Sequence, residues 1–291
     1  MHSLKKGNQI MPSSPSALKI YLSASRPKTW IAGISPVVLG ICLAAKEGPI
    51  SVPLFLFSLL FSLLIQIGTN YANDYFDFIN GADVNRVGPP RATTRGWLLP
   101  AQMKTAYMAL FGAAFLASLP LIAVCGIWAL FFVLSSIAFG ILYTGGPKPL
   151  GYIGLGDLLV LIYFGPVAIA GTYFVQQLSI PPLLLTLAPG FLSCAILTAN
   201  NLRDEQSDRA VGKNTIVVRF GQTFGRCEYA LCILLAAIIP TFYGFYFPLL
   251  ILPLSIPLLK LAFTFKTPQE AVPLLPKTAF LLIIFTVLFC L

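Results

Sequence analysis

The sequence predicts an all-α polytopic membrane protein in which nine transmembrane helices form a bundle around a central cavity. Of the 291 residues, 57% are hydrophobic and only 10% are charged, whereas about a quarter of the residues in soluble domains are charged. Apolar segments with few charges recur along the whole chain, and basic residues are concentrated in alternate loops between them. The formal net charge of +9 therefore indicates membrane topology, and nucleic acid is not an expected partner.

Nine segments approach the length of a spanning helix, which is roughly 20 mostly apolar residues. Prolines in several of them predict kinks rather than ends, because neighbouring helices satisfy the carbonyls that a proline frees. We expect a polar cytoplasmic leader over residues 1–25 and a single nine-helix domain over residues 26–291. The predicted segments are residues 28–45, 52–73, 105–124, 127–143, 156–176, 182–200, 225–243, 245–263 and 274–291.

The distribution of basic residues predicts the orientation of the chain. All but Lys46 of the 19 lysines and arginines lie in the leader, in the loops that follow even-numbered segments, or beside these loops. Such loops face the cytoplasm under the positive-inside rule. We therefore expect a multi-pass protein of the cell (inner or plasma) membrane, with its N-terminus in the cytoplasm. The polar leader is long for the start of a signal peptide, so we expect no cleavage after the first segment.

The cysteines and the single histidine do not indicate a site of their own. The six cysteines are scattered through or beside apolar segments without a C-x-x-C pair, and His2 lies in the leader. We therefore expect neither a disulfide framework nor a Cys/His metal site.

The stretch NYANDYFDFINGAD, residues 70–83, begins before an uncharged apolar run has ended. An ionisable group near hydrocarbon costs roughly 2.5–3.5 kcal/mol, so such groups usually have a role. If the second helix continues beyond its apolar part, four oxygen-bearing side chains share one face, within an arc of about 100°. These are Asn70, Asn73, Asp74 and Asp77.

A second stretch, TANNLRDEQSDRAVGKNT at residues 198–215, repeats this arrangement. The side chains that share an arc of about 100° are Asn200, Asn201, Asp204 and Asp208. Glu205 points elsewhere. The spacing Asn-x-x-x-Asp begins at residue 70 and again at residue 200. Each copy lies at the predicted cytoplasmic end of an even-numbered helix, which hints at an internal duplication.

Carboxylate and amide oxygens without histidine or cysteine favour a hard cation, magnesium before calcium or zinc. Acids alone would indicate a cation path, but acids interleaved with basic side chains indicate a metal-bridged anion, most simply a diphosphate. The alternative is that these acidic and basic residues only cap helices and pair with one another. For a single residue such as Asp83 or Arg219, a structural role and a role in the site both stay open. The basic side chains in the two loops that contain these acids, roughly residues 74–104 and 201–224, are Arg86, Arg91, Arg95, Arg203, Arg209 and Lys213.

A lipid diphosphate explains why such a site belongs to a membrane protein. Its tail lies in the bilayer, and its head lies at the cytoplasmic surface. Metal-bound diphosphate is a good leaving group, and aromatic faces and the exclusion of water stabilise the allylic cation that remains. Aromatic residues are dense near the clusters, although most are expected to pack or to lie at the membrane interface. They include Tyr71, Tyr75, Phe76, Phe78, Tyr143 and Tyr152.

Over nearly its whole length the chain resembles the UbiA superfamily of intramembrane aromatic prenyltransferases, and within it the branch that acts on 1,4-dihydroxy-2-naphthoate. The first motif of the superfamily usually reads Asn-x3-Asp-x3-Asp. Here the third place is Phe78, with Asp77 and Asp83 nearby, which resembles the naphthoate branch and argues against a 4-hydroxybenzoate enzyme. The stretches that carry the resemblance are RPKTW (26–30), NYANDYFDFINGADVNRVGPPRA (70–92), YTGGPKPLGYIGLGD (143–157), GTYFVQ (171–176) and NNLRDEQSDRAVGKNT (200–215).

The resemblance implies roles for particular residues. One or two Mg2+ ions would be held against the diphosphate by Asn70, Asp74, Asp77, Asn200, Asp204 and Asp208. Phosphate oxygens would be bound by Arg86, Arg91 and Lys213. The head-group side would be lined by Tyr143 and Lys148, and Asp83 would serve the acceptor or a second metal.

The implied reaction is an electrophilic aromatic substitution. Diphosphate leaves a polyprenyl diphosphate, the prenyl cation attacks the ring carbon that bears the carboxylate, and carbon dioxide is lost. Two alternatives stay open: a related prenyltransferase with another acceptor, and a secondary transporter. Transporters place charges near the membrane midplane, whereas the acids here cluster at helix ends, which favours the enzyme.

Overall fold

A computed structural model describes residues 16–83 and 87–291, and every regular element in these ranges is helical. Eight stretches of helix are long and apolar enough to span a membrane, and the 16-residue helix Ile127–Leu142 is the shorter ninth. The predicted all-helical membrane fold is therefore confirmed for the part of the chain that is described. Arg86 lies outside the described residues.

The spans are built from twelve α-helices and a few irregular turns. A π-helical turn, Tyr163–Val167, contains Pro166 and joins α6 to α7 as one span. In chain order the α-helices are α1 Ala17–Ala24, α2 Trp30–Glu47, α3 Val52–Ile79, α4 Pro100–Cys125, α5 Ile127–Leu142, α6 Gly156–Ile162, α7 Ala168–Gln177, α8 Leu183–Ala210, α9 Ile216–Ile238, α10 Ile251–Thr264, α11 Pro268–Ala271 and α12 Leu274–Cys290.

Two helices run well past the ends of their apolar segments. The second and sixth predicted spans stop at residues 73 and 200, whereas α3 ends at Ile79 and α8 at Ala210. The four oxygen-bearing side chains of each predicted face therefore lie on continuous helix. This extension keeps Asp77 and Asp208 on regular backbone, where the side-chain directions are fixed by the helix.

The end of the predicted leader is also helical. In α1, Ile20 and Ala24 are buried in a cluster with Tyr71 and Met103 of the main bundle. The hydroxyl of Tyr71 donates a hydrogen bond to the backbone carbonyl of Tyr21 over 2.8 Å. Residues 17–24 thus pack on α3, and the domain boundary at residue 25 stays a prediction.

The larger of the buried clusters surrounds α8, which packs against α6, α9 and α12. A second cluster joins α3 and α4. The first span contacts the bundle closely at Gly40 on α2. A Cβ there would lie 2.7 Å from the carbonyl oxygen of Ile169 and 2.8 Å from Cβ of Thr172, so only glycine lets α2 and α7 approach this closely.

One expectation about the cysteines is wrong. Cys42 of α2 and Cys290 at the end of α12 form a disulfide, with their Cα atoms 5.9 Å apart, although 248 residues separate them in sequence. The pairing follows from the packing of α12 against α2, which the scattered sequence positions do not indicate. Four other cysteines are free.

We predict that Gly40→Ala destabilises the bundle, because the added methyl group must displace backbone on α7. Overpacking of this kind typically costs about 1–3 kcal/mol. Gly171→Ala on α7 is the matched control, since a Cβ there meets nothing within 4 Å, and removing a helical glycine stabilises by roughly 0.5–1 kcal/mol. Denaturant unfolding in detergent micelles measures both. Equal stability of the two variants would contradict the close α2–α7 contact.

Candidate functional site

Asp74 holds the loop after α3 onto the helix end. Its side chain is buried. Oδ2 accepts the backbone N–H of Ala92 over 2.9 Å, and Oδ1 accepts that of Thr93 over 3.0 Å. The carboxylate thus acts as a cap for the turn at residues 91–96 and folds the connection from α3 to α4 back over the site.

Asp77, one turn further along α3, shares its carboxylate between two partners. Arg91 Nη2 donates to Oδ2 over 3.0 Å, and the hydroxyl of Tyr152 donates to Oδ1 over 2.8 Å. Arg91 Nε also lies 3.2 Å from Oδ2 of Asp83. Because Asp77, Asp83 and Arg91 are all buried, the guanidinium compensates two carboxylates in a region of low dielectric.

Asn70 is turned toward the start of the first span. Its Nδ2 donates to the carbonyl oxygen of Ser25 over 2.9 Å and to Oγ1 of Thr29 over 3.1 Å. The amide therefore fixes the short turn between α1 and α2. Its predicted metal contact through Oδ1 stays a prediction.

The second acidic stretch is organised around Arg203. Its Nε and Nη2 donate to the two oxygens of Asp204 over 2.7 and 2.5 Å, and Nη2 also donates to Oδ1 of Asn200 over 2.6 Å. Arg203 and Asp204 are buried. Their contact is a bidentate ion pair, which is stronger than a pair joined by one hydrogen bond. Glu205 instead pairs with Arg209.

Asp208 has one oxygen in use and one free. Nζ of Lys213 lies 3.3 Å from Oδ1, whereas Oδ2 is buried without a hydrogen-bond partner. The same ammonium group lies 5.5 Å from the centroid of the Tyr152 ring. Lys213 therefore links the second acidic stretch to the residue that contacts Asp77.

The connection between α5 and α6, residues 143–155, joins both acidic stretches. On one side Thr144 donates to Oδ1 of Asn73 over 2.8 Å. On the other side the backbone N–H of Asn214 donates to the carbonyl of Tyr152 over 2.8 Å. The loop turns sharply at Gly154, where φ is +80° and a Cβ would lie 3.1 Å from the carbonyl oxygen of Asn214.

Two tyrosines of this connection keep their protons. Burial raises the pKa of Tyr152 well above its usual range, and the charge of Asp77 raises it further. Burial likewise raises the pKa of Tyr143, with additional effects from Asp157, Asp77 and Asp208. Both phenols therefore stay protonated near neutral pH, and that of Tyr152 donates a hydrogen bond to Asp77. Lys148 is exposed, so its predicted place on the head-group side stays a prediction.

The acidic side chains do not form a complete metal shell by themselves. Among residues 16–83 and 87–291, no three histidine, cysteine or acidic side chains are close enough to hold an ion. The donors are nevertheless hard oxygens, and Oδ2 of Asp208 has no protein partner. Mg2+ commonly takes one or two carboxylates and completes its shell with water and substrate phosphates. The residues present fit that mode of binding.

The sequence predicts both acidic stretches but does not predict the connection between α5 and α6 that joins them. Tyr152 appeared only as one aromatic residue among several, whereas its hydroxyl, ring and carbonyl contact both sides of the site. Arg203 was placed near phosphate-type anions, but its direct partner is Asp204. The periodicity of a helix carries no information about a loop that crosses between two helix ends.

Residues 33–289 match the sequence pattern of the UbiA prenyltransferase family. The chain belongs to the UbiA prenyltransferase family. It is therefore a prenyltransferase and a multi-pass membrane protein, which confirms the family that the motifs indicate.

Relatives and a solved structure of the UbiA family extend this finding. The chain is 40% identical over 211 residues to a 1,4-dihydroxy-2-naphthoate octaprenyltransferase of Mycobacterium tuberculosis, covering 72% of each protein. It is 32% identical over 295 residues to the enzyme of that name from Haemophilus influenzae, covering 94% of this chain and 95% of that one. A UbiA homolog from Archaeoglobus fulgidus, solved bound to DMAPP and Mg2+, shares the fold with a TM-score of 0.60 at 15% identity, over 93% of this chain and 99% of that one.

We predict that Tyr152→Phe loosens the connection between α5 and α6, because Asp77 loses a donor. Hydrogen bonds to charged groups typically contribute about 1.5–3 kcal/mol. Unfolding should therefore become easier by that amount, and backbone amides of residues 143–155 should exchange hydrogen faster. Tyr243→Phe, in the turn after α9, is the control. Unchanged exchange in Tyr152→Phe would show that the phenol does not hold the loop.

Proposed function

We propose that this enzyme transfers a polyprenyl group from a polyprenyl diphosphate to 1,4-dihydroxy-2-naphthoate, with loss of diphosphate and carbon dioxide, giving demethylmenaquinol. The observation that carries the proposal is the meeting of the two acidic stretches, each with buried cations, across Tyr152. The acceptor is supported by relatives that cover most of the chain and bear this activity in their names.

The diphosphate would lie between the two acidic stretches. Arg91 and Lys213 are the candidate cations, since each is held beside the site by a carboxylate partner. Phosphate oxygens would take over part of this pairing when the substrate binds. Arg86 belongs to the same proposal by its sequence position.

Mg2+ is the proposed cofactor, held by Asp74, Asp77, Asp204 and Asp208 together with the amide oxygens of Asn70 and Asn200. When bound, it would neutralise the negative charge that develops on the leaving diphosphate. Of these side chains, Asp208 is the one whose Oδ2 is buried without a partner, and it is therefore the first candidate ligand. Asp83 is already bound to Arg91 and would act by positioning that cation.

The protein's own groups would prepare the site for the allylic cation. Tyr143 and Tyr152 remain neutral donors because of their raised pKa values, and their ring faces can stabilise positive charge. Lys148 would guide the acceptor from the exposed side. The lipid tail would lie along the apolar helices. The proposed orientation has the N-terminus and the site toward the cytoplasm of the cell membrane, and the distribution of basic residues supports it.

We predict that Asp208→Asn lowers turnover by at least about 100-fold, as for the loss of one preorganised electrostatic contact in an active site. The neutral amide cannot supply the charge that a divalent cation requires. Glu205→Gln is the control, because Glu205 lies three residues before Asp208 and its carboxylate pairs with Arg209. This variant loses the same charge and should retain wild-type turnover. Melting temperature checks that both variants stay folded. Full activity of Asp208→Asn would exclude Asp208 from the metal site.

The reaction itself is tested in membranes with Mg2+, a polyprenyl diphosphate and 1,4-dihydroxy-2-naphthoate. We expect a prenylated, decarboxylated product by mass, release of carbon dioxide, and loss of both signals with excess chelator. Turnover with another aromatic acceptor, but not with 1,4-dihydroxy-2-naphthoate, would support the prenyl transfer and contradict the proposed acceptor. No metal-dependent turnover with any acceptor tested would overturn the proposed mechanism.

A further inference from the structure

A cavity of about 210 Å³ lies between α6, α8 and α9, and none of its lining residues belongs to the site proposed above. Nine residues line it, and most of them are leucine, phenylalanine or cysteine. Two are carboxylic acids, Asp157 of α6 and Glu228 of α9, and none is basic. The cavity is thus an apolar space with two acidic groups and no cationic side chain on its wall.

Both acids keep an oxygen without a partner. Asp157 is only 7% exposed, and its Oδ1 is buried without a hydrogen bond. Oε2 of Glu228 is in the same state. Buried polar atoms without partners are rare in native proteins, and their desolvation is costly. Two such oxygens on one cavity wall indicate a ligand that brings hydrogen-bond donors.

Exposed apolar side chains border the open side of the cavity. Its lining residues Leu158 and Leu231 are 53% and 52% exposed, and both belong to helices that span the bilayer. In a bilayer these apolar side chains would face lipid, so a ligand entering or leaving here would pass between the cavity and the membrane. That route suits a molecule with a lipid tail and a compact head.

The cavity also adjoins the proposed reaction site. A Cβ on Gly156 would lie only 3.0 Å from the hydroxyl of Tyr143, so Tyr143 stands next to the start of α6 and therefore to Asp157. The thiol of Cys194 donates to the backbone carbonyl of Asp157 over 3.2 Å, which fixes the start of α6 on α8. The acid is consequently held in place between the reaction site and the cavity.

The two acids on the cavity wall favour a ligand whose head group carries no negative charge. An aromatic acceptor that carries a carboxylate would bury its anion beside two acids with no base on the wall, which is unfavourable. A neutral hydroquinone has no such charge, and its two hydroxyl groups can donate to Oδ1 of Asp157 and Oε2 of Glu228. We propose that this cavity binds the neutral hydroquinone head of a prenylated lipid, as a lateral site through which the product reaches the membrane. Its description as the product's site rests on the proposed function.

The test uses menadiol, a tail-free naphthohydroquinone, with the purified full chain in nanodiscs under anaerobic, reducing conditions. Equilibrium dialysis measures its binding in the absence of metal and prenyl diphosphate. Leu231→Trp fills the mouth of the cavity, and Leu234→Trp is the matched control, because Leu234 lies on the same helix, is 42% exposed and does not line the cavity. Asp157→Leu removes an acceptor.

We expect Leu231→Trp and Asp157→Leu to bind menadiol at least about tenfold more weakly than the wild type, the equivalent of one net hydrogen bond. Leu234→Trp should bind as the wild type does. Menadione, which lacks the donors, and 1,4-dihydroxy-2-naphthoate, which carries the anion, should each bind at least about tenfold more weakly than menadiol. Wild-type binding by Leu231→Trp, or equal binding of the naphthoate, would overturn the proposal.

The outcomes separate this proposal from the proposed function. If the wild type turns over the naphthoate but binds no menadiol, the cavity proposal is wrong and the reaction stands. If menadiol binds and Leu231→Trp blocks it, but no naphthoate is turned over, the hydroquinone site stands and its description as a product site is wrong.

Discussion

The carboxylate of Asp77 joins three of the chain segments from which the site is built. It belongs to α3, it accepts from Arg91 in the connection to α4, and it accepts from Tyr152 in the connection to α6. Tyr152 in turn contacts the segment after α8 through Asn214 and Lys213. Two loops and the end of α3 therefore meet at one buried acid, and Tyr152 extends the contact to the segment after α8.

The buried ion pairs of the site are expected to contribute more to the orientation of its charged groups than to the stability of the fold. A buried ion pair often contributes little net stability, because desolvation of both charges offsets their attraction. Arg203 with Asp204 and Arg91 with Asp77 and Asp83 are pairs of this kind. They keep guanidinium and carboxylate groups oriented at helix ends without substrate. Under the proposed function, a diphosphate with its metal would supply the opposite charges, so binding would exchange partners within the site instead of drawing bare charges out of water.

The sequence predicted the helices better than the contacts between them. Apolar length located the nine spans, and helical periodicity placed Asp74 with Asp77 and Asp204 with Asp208 on shared faces, because both signals are local. The bridging role of Tyr152 and the disulfide from Cys42 to Cys290 depend on residues far apart in the chain, and no local pattern encodes them. The helix Ala17–Ala24 was missed for a different reason, since a short amphipathic segment beside a polar leader has too little apolar length to be recognised.

Apolar length and helical periodicity do not predict the lateral cavity. Asp157 and Glu228 each stand alone in an apolar segment, and a single acid near a helix start is equally compatible with a simple capping role. Only the packing of α6 and α9 on α8 brings both to one wall. In that arrangement the molecule contains two polar regions with opposite preferences. The helix-end region combines acids with buried cations and suits a charged diphosphate with its metal, whereas the lateral cavity has acids without cations and suits a neutral donor. A reaction that begins with anionic reactants and ends with an uncharged lipid would pass from the first region to the second, with Tyr143 at the boundary between them.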